Sequence, residues 1–199
     1  MVHYYITKNP TFFLVLAWLT CSCSSWSSRT SNPYVRQACS VTLYQQLCIR
    51  SLSPFSSAAR NHPTRWARAG VSVSIGEAKN VVAYLAKARK RNPMRGRNRI
   101  ALSDCVECIQ DSLDNLHKSL GVLRKLSTKT FNTQMGDVIT WLSAALTDGD
   151  TCLDGFEESK EQVNTLRRKV MNVTHITSNA LAIVNKLATT GPQALLVSP

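Results

Sequence analysis

Five cysteines downstream of residue 30 are the side chains best suited to covalent chemistry in this 199-residue chain. Cys39 and Cys48 enclose eight residues, and Cys105, Cys108 and Cys152 follow much later. Cysteines of exported proteins normally pair as disulfides, and an odd number leaves one thiol free. The chemistry expected of this set is therefore crosslinking rather than catalysis.

The start of the chain predicts export into an oxidising compartment. Thr11–Thr20 is a predominantly apolar run of ten residues, with Lys8 before it and small residues after it through Ser28. This order is typical of a secretory signal peptide, whereas a membrane span needs about 20 apolar residues. We expect residues 1–28 to be removed, with the cleaved bond between Thr20 and Thr30. A buried N-terminal helix is the alternative.

Residue types used in catalysis are present, but they form no recognisable catalytic motif. Beyond the predicted signal the histidines are His62, His117 and His175, and none belongs to a nucleophile or metal motif such as His-Glu-x-x-His. Asp111 and Asp114 lack a partner motif for glycoside chemistry, and glycine-rich phosphate loops are absent. An enzyme, a metal site and an organic cofactor are therefore not expected.

The basic residues are concentrated in one stretch of the chain. Residues 60–99 contain 11 basic and 1 acidic side chains, whereas residues 100–199 contain 9 and 11, within a total formal charge of +12. Lys87–Arg99, here called the basic tract, should lie in a loop because Pro93 and Gly96 interrupt the helical pattern. A nucleic-acid patch is disfavoured by the export signal and by the lack of interleaved aromatic residues. A solvated loop is the simpler interpretation.

Four long helices must position these side chains, because apolar residues recur at steps of three and four from residue 64 onward. The clearest stripe is that of the second helix, formed by Leu102, Val106, Ile109, Leu113, Leu116, Leu120 and Leu123. The apolar stripe of the first helix comprises Val71, Ile75, Ala78, Val82 and Leu85.

The remaining two stripes predict the third and fourth helices. Met135–Ala145 belongs to a helix that begins after Thr130, its N-cap, and ends near Asp148-Gly149. Val163–Leu187 belongs to one that stops before Gly191-Pro192, in which the Thr177 hydroxyl should bond to a carbonyl one turn earlier. Four helices with short connections predict an all-α, up-down-up-down bundle.

The cysteine spacing provides a check on this topology. Cys105 and Cys152 are centred on position 128.5, within the polar turn Ser127–Thr130. In an antiparallel helical hairpin, equal numbers of residues on either side of the turn bring two positions level. Cys105 and Cys152 should therefore be close enough to pair, although Cys108, one turn away, could compete for Cys152.

Several sequence blocks resemble the plant invertase and pectin methylesterase inhibitor family, including its basic members often labelled 21 kDa proteins. They are Cys39–Cys48, Ala101–Glu107, Trp141–Thr147, Thr151–Phe156 and Ser178–Ala182. The resemblance implies an inhibitor domain over residues 33–190, built as a four-helix bundle with an N-terminal helical hairpin. It also implies disulfides Cys39–Cys48 and Cys105–Cys152, and no catalysis. Gln45, where the family usually has proline, and Cys108 depart from the pattern.

The same resemblance implies a partner and a place of action. The expected partner is pectin methylesterase, with acid invertase as the alternative, in the apoplast or cell wall. Motif matching assigns partner binding to two pairs at helical spacing, Asp111 with Asp114 and Thr151 with Asp154. A solvated acidic surface is the alternative for these residues, and a helix cap is a further alternative for Thr151 and Asp154.

Two further expectations concern other chemistry of an exported wall protein. The basic tract could attract demethylated, negatively charged pectin. Asn172-Val-Thr174 is a glycosylation sequon, although it falls in the middle of a predicted helix.

Overall fold

The structure, a computed structural model, describes residues 32–91, 95–156 and 161–195. The four long helices are α4 (Pro63–Arg91), α5 (Arg97–Arg124), α6 (Phe131–Asp154) and α7 (Glu161–Thr190). Shorter elements precede and follow them: α1 (Pro33–Cys39), α2 (Gln45–Leu52), a 3₁₀ turn (Ser53–Phe55), α3 (Ser56–Ala59) and a final 3₁₀ turn (Pro192–Leu195). The predicted all-α class is confirmed for these residues. The predicted signal peptide lies outside them.

The long helices form an up-down-up-down bundle, as predicted. α5 packs against α4 and α6, and α7 packs against α6 and α4, so the chain goes once around a square. The predicted apolar stripes face the common core, with Ile109, Leu116, Leu142 and Leu187 almost wholly buried. Two predicted positions differ, because Val82 and Val106 are only half-buried, and Val81 is buried in place of Val82. Val71-Ser-Val-Ser-Ile75, which alternates like a strand, is helical.

The N-terminal hairpin is attached to α7 through Tyr44, which precedes α2. The buried Asn179 side chain accepts a hydrogen bond from the Tyr44 backbone N–H (3.1 Å) and donates one to the Tyr44 carbonyl (3.0 Å). The Tyr44 ring stacks on His175, with centroids 3.8 Å apart. Gln45 begins α2 without disrupting the hairpin. A backbone clamp and a ring contact thus hold this segment on the bundle.

Most of the basic tract is helical, contrary to the predicted loop. α4 continues to Arg91 and α5 begins at Arg97, so only residues 92–96 separate the helices. Gly96 has φ +59°, a conformation in which other residues are strained. The side chains of Lys87, Arg89 and Lys90 therefore extend from the last turns of α4.

The end of α6 also differs from the prediction. The helix continues through Gly149 to Asp154. Gly149 does not end the helix; its lack of a side chain allows α7 to pack closely against α6. A Cβ built there would be 2.8 Å from Thr174 Oγ1 of α7. Thr130 is the N-cap residue as predicted, but its hydroxyl bonds to the Gln134 side chain and not to a backbone N–H.

Thr177 corrects another expectation. Its hydroxyl is buried and has no hydrogen-bond partner within the described part of the chain, whereas the sequence predicted a bond to the preceding turn. Thr174, three residues earlier, makes a bond of the predicted kind to the Val170 carbonyl at 3.2 Å. None of the helices in the described part of the chain has the length and hydropathy needed to cross a membrane.

Candidate partner-binding face

A disulfide between Cys105 and Cys152 joins α5 to α6 near one end of the bundle. Both residues are buried, and their Cα atoms are 4.0 Å apart. The second disulfide joins Cys39 to Cys48 in the N-terminal hairpin, with Cα atoms 5.8 Å apart. Both expected pairings are thus confirmed, and Cys108 is the free thiol.

Two hydrogen bonds between side chains of α5 and groups of α6 maintain the same register beyond the disulfide. The buried Ser112 hydroxyl donates to the Ala145 carbonyl at 3.2 Å. Asn115 Nδ2 donates to Asp148 Oδ2 at 3.3 Å. A crosslink and two polar contacts between the same helices make this α5/α6 face a stiff surface. We call it the docking face.

Asp111 and Asp114 both have exposed carboxylates on α5. A helix turns by about 100° per residue, so positions three apart differ by about 60° around the axis. Asp111 lies on the flank towards α6, since its charge acts on the Asp148 carboxyl and the Cys108 thiol. Asp114 lies farther around the outer surface of α5. Both side chains are accessible to a partner.

Thr151 and Asp154 lie in the last turn of α6 and are exposed. The Thr151 hydroxyl donates to the Thr147 carbonyl one turn earlier, at 2.9 Å. A capping box requires its threonine at the N-terminus of a helix, so that alternative is wrong here. The Asp154 carboxylate remains available at the end of the docking face.

The two predicted pairs lie on one helical hairpin but at different levels. Since Cys105 is level with Cys152, Thr151 is level with position 106 and Asp154 with position 103. A rise of 1.5 Å per residue then separates the pair on α5 from the pair on α6 by about 8 to 16 Å along the bundle. A partner would have to cover both turns to contact all four residues.

Asp148 belongs to the docking face, although the sequence placed it only at a helix end. Burial raises the pKa of its half-buried carboxyl, the hydrogen bond from Asn115 opposes that rise, and the Asp111 charge adds to it. The signal that could have found it is its position four residues before Cys152. In a helix that continues past Gly149, this spacing places Asp148 one turn from the disulfide.

The Cys108 thiol is half-buried close to these carboxylates. Burial raises its pKa first, and the charges of Asp148, Asp111 and Asp104 raise it further. A thiol in such surroundings is a weak nucleophile because the thiolate is disfavoured. This explains how an unpaired cysteine can lie one helical turn from a disulfide.

Three basic side chains of the tract, Arg89, Lys90 and Arg99, lie where α4 meets α5. Arg89 and Arg99 line a cavity of about 540 Å³ together with Asp104 and the apolar side chains of Leu102 and Val106. A second cavity, towards α4, is lined by Arg89, Lys90, Val82, Leu85, Ala86 and Val106. The surface between the helices is thus an open groove with an apolar floor and a predominantly basic rim.

The sequon asparagine lies within α7 and is half-buried. Asn172 Nδ2 donates to the Glu77 carboxylate of α4 at 3.5 Å. Glycan attachment at Asn172 stays a prediction.

The fold and this face define a class of protein: a four-helix bundle crosslinked by disulfides, with exposed carboxylates on the face formed by α5 and α6. A sequence model described as "Plant invertase/pectin methylesterase inhibitor" matches residues 33–183. The chain therefore belongs to the plant invertase/pectin methylesterase inhibitor family, which confirms the resemblance.

Individual relatives agree with this assignment. Pectinesterase inhibitor 6 of Arabidopsis thaliana is 52% identical over 163 residues, which cover 80% of this chain and 78% of that protein. The 21 kDa protein of Daucus carota is 33% identical over 184 residues, covering 88% and 94%. The crystal structure of a mutant form of a pectin methylesterase inhibitor from Arabidopsis shares the fold, with a TM-score of 0.59 at 20% identity, covering 74% of this chain and 92% of that one.

Proposed function

We propose that this chain inhibits a pectin methylesterase by covering the enzyme's pectin-binding cleft with the docking face. The observation that carries the proposal is its 52% identity to a protein named as a pectinesterase inhibitor. The crosslinked hairpin of α5 and α6 supports it, since a surface ordered before binding loses little conformational entropy on docking.

In this proposal the carboxylates recognise the enzyme and the bundle excludes the substrate. Asp111, Asp114 and Asp154 bear accessible charges that can pair with basic groups of the esterase. Thr151, whose hydroxyl already donates to the Thr147 carbonyl, can still accept a hydrogen bond. Inhibition then requires no catalytic residue, because a rigid protein occupies the space that the polymer needs.

Acid invertase is the alternative target, because the family description names both enzymes. The oxidised protein would be incubated separately with a plant pectin methylesterase and with an acid invertase, and both activities measured. We expect loss of esterase activity alone. Loss of invertase activity alone would transfer the function to the alternative target, and unchanged activity of both would reject the proposal.

We also propose secretion to the apoplast and an electrostatic contact of the basic tract with demethylated pectin. Lys87, Arg89 and Lys90 on α4 and Arg97 and Arg99 on α5 are exposed. Their charges favour a polymer rich in carboxylates, with an attraction that salt screens. A variant with these five residues changed to glutamine should elute from immobilised polygalacturonate at lower salt than the native protein. Elution at the same salt would reject the contact.

A further inference from the structure

A second group of basic side chains lies at the other end of the bundle, where α4 begins and α5 ends. Arg65 and Arg68 are three residues apart on α4, so they occupy one face of that helix. Arg124 is the last residue of α5. We call these three residues the arginine cluster.

Backbone carbonyl groups hold two of the three guanidinium groups in place. Arg68 Nε donates to the Leu123 carbonyl at 2.7 Å, which brings Arg68 next to Arg124. Arg65 Nη1 donates to the Ala58 carbonyl, also at 2.7 Å. Each bond uses one of the five N–H donors of its guanidinium group and neutralises no charge. Among the residues that the structure describes, neither guanidinium group has a carboxylate partner.

Arg65 and Arg124 are both close enough to Arg68 for their charges to repel that of Arg68. The pKa of the half-buried Arg68 is lowered, first by burial and then by the charges of Arg124 and Arg65. No aspartate or glutamate occurs in residues 32–76 or 115–136, the segments that meet at this end, and the only acidic residue of α7 is its first, Glu161. No carboxylate is among the groups that shift the Arg68 pKa, so the described residues do not offset this repulsion.

Helix capping alone does not account for this arrangement. A cation near the C-terminus of a helix is stabilising, and Arg68 supplies one to α5. Arg124 adds a second charge beside it, and its side chain makes no hydrogen bond or ion pair to the described residues. Repulsion between closely spaced like charges opposes folding unless an anion binds near them and offsets it.

We infer that the arginine cluster binds carboxylate groups of demethylated pectin, at a site separate from the docking face and from the basic tract. The choice of this polymer rests on the proposed function, because a pectin methylesterase hydrolyses methyl esters and leaves such carboxylates on the polymer. Guanidinium groups bind carboxylates through paired hydrogen bonds, and here two of them are already oriented by the backbone.

The position of the site has a consequence for retention in the wall. Arg68 and Arg89 are 21 residues apart on α4, which corresponds to about 30 Å at 1.5 Å per residue. Contacts at both ends let one molecule bind two stretches of polymer, and the second contact is strengthened by the first.

The test compares Arg124→Gln with Lys79→Gln in the complete oxidised protein. Both side chains are exposed, neither makes a hydrogen bond or ion pair to the described residues, and each change removes one positive charge. We expect Arg124→Gln to weaken the affinity for polygalacturonate about three- to fivefold, and Lys79→Gln to have a smaller effect. Equal losses for the two variants would show a general charge effect and overturn the inference.

Two further measurements make the test specific. The double variant Arg65→Gln, Arg124→Gln should bind polygalacturonate more weakly than Arg124→Gln alone. Thermal unfolding would check that the double variant is folded. Highly methyl-esterified pectin, which lacks the carboxylates, should not bind, and equal affinity for it would overturn the inference. Inhibition of a pectin methylesterase by Arg124→Gln should be unchanged. That assay isolates the proposed function, so the two ideas can fail independently.

Discussion

Asp111 and Asp114 carry the proposed docking at the scale of single residues. Changing both to lysine reverses two exposed charges on α5 without disturbing the core. We expect inhibition of the esterase to weaken by about tenfold or more, because lysines would repel the basic groups that the aspartates attract. The inhibition constant measures this, and thermal unfolding would show that the bundle is intact.

A matched comparison separates recognition from net charge. Asp137 is an exposed aspartate in the first half of α6, away from the disulfide end. Asp137→Lys changes the charge as Asp111→Lys does, and it should leave inhibition nearly unchanged. Equal effects of the two single variants would remove Asp111 from the site.

The free thiol gives a second prediction at this scale. Because burial and neighbouring carboxylates raise the pKa of Cys108, alkylation by iodoacetamide at pH 8 should be slower than for an unfolded chain. Asp148→Asn should accelerate alkylation by removing one of the charges that disfavour the thiolate. Mass spectrometry of the alkylated peptide measures both rates. A native rate equal to that of the unfolded chain would contradict the assigned environment.

The contact between α6 and α7 is a property of whole elements. Gly149→Ala would place a methyl group 2.8 Å from Thr174 Oγ1, so either the side chain or a helix must shift. We expect the free energy of unfolding to fall by about 1 to 3 kcal/mol, as found for overpacked cores. Denaturant unfolding measures the change.

Gly136→Ala is the control on the same helix. A Cβ at Gly136 meets nothing within 4 Å, and an alanine in a helix is more favourable than glycine by up to about 1 kcal/mol. This variant should therefore be slightly more stable than the native protein. Destabilisation by both alanines to the same extent would reject the packing explanation for Gly149.

The two disulfides stabilise the molecule as a whole, and they should do so unequally. The Cys105–Cys152 bond spans 47 residues and the Cys39–Cys48 bond spans 9. The entropy of loop closure in the unfolded chain then predicts losses of about 4 and about 2.6 kcal/mol when each pair is changed to serine. Unfolding in guanidinium chloride tests the order, and a larger loss for the hairpin pair would contradict it.

Much of the fold follows from local patterns in the sequence. Steps of three and four in the apolar residues place Leu102–Leu123 on one helical face, and the polar turn at Ser127–Thr130 determines which residues are level. Cys105 and Cys152 could therefore be expected at the same level before any coordinates, because a helix has a constant rise per residue, while Cys108 stayed a competitor for the bond. The same helical spacing predicts that Asp111 and Asp114 lie off the apolar stripe of α5.

Other features depended on contacts between segments distant in sequence. Glycine locally predicts a helix end, but Gly149 packs against Thr174 of α7, which is 25 residues away in the sequence. Thr177 likewise lacks the bond that the local pattern predicts. Asp148 belongs to the docking face only because α6 continues past Gly149, which the local sequence did not predict.

The sequence by itself determined the four long helices apart from some of their ends, their order around the bundle and the level of Cys105 with Cys152, since these are encoded in spacing along the chain, and its motifs showed the resemblance to the family. Only the tertiary structure decided which side chains share a surface: Asp148 beside Asn115, and Arg68 beside Arg124. The physical reason is that burial, hydrogen bonding and repulsion act over a few ångströms in space. Packing brings together residues that are far apart in the sequence, and their separation in sequence does not show that they are neighbours in space.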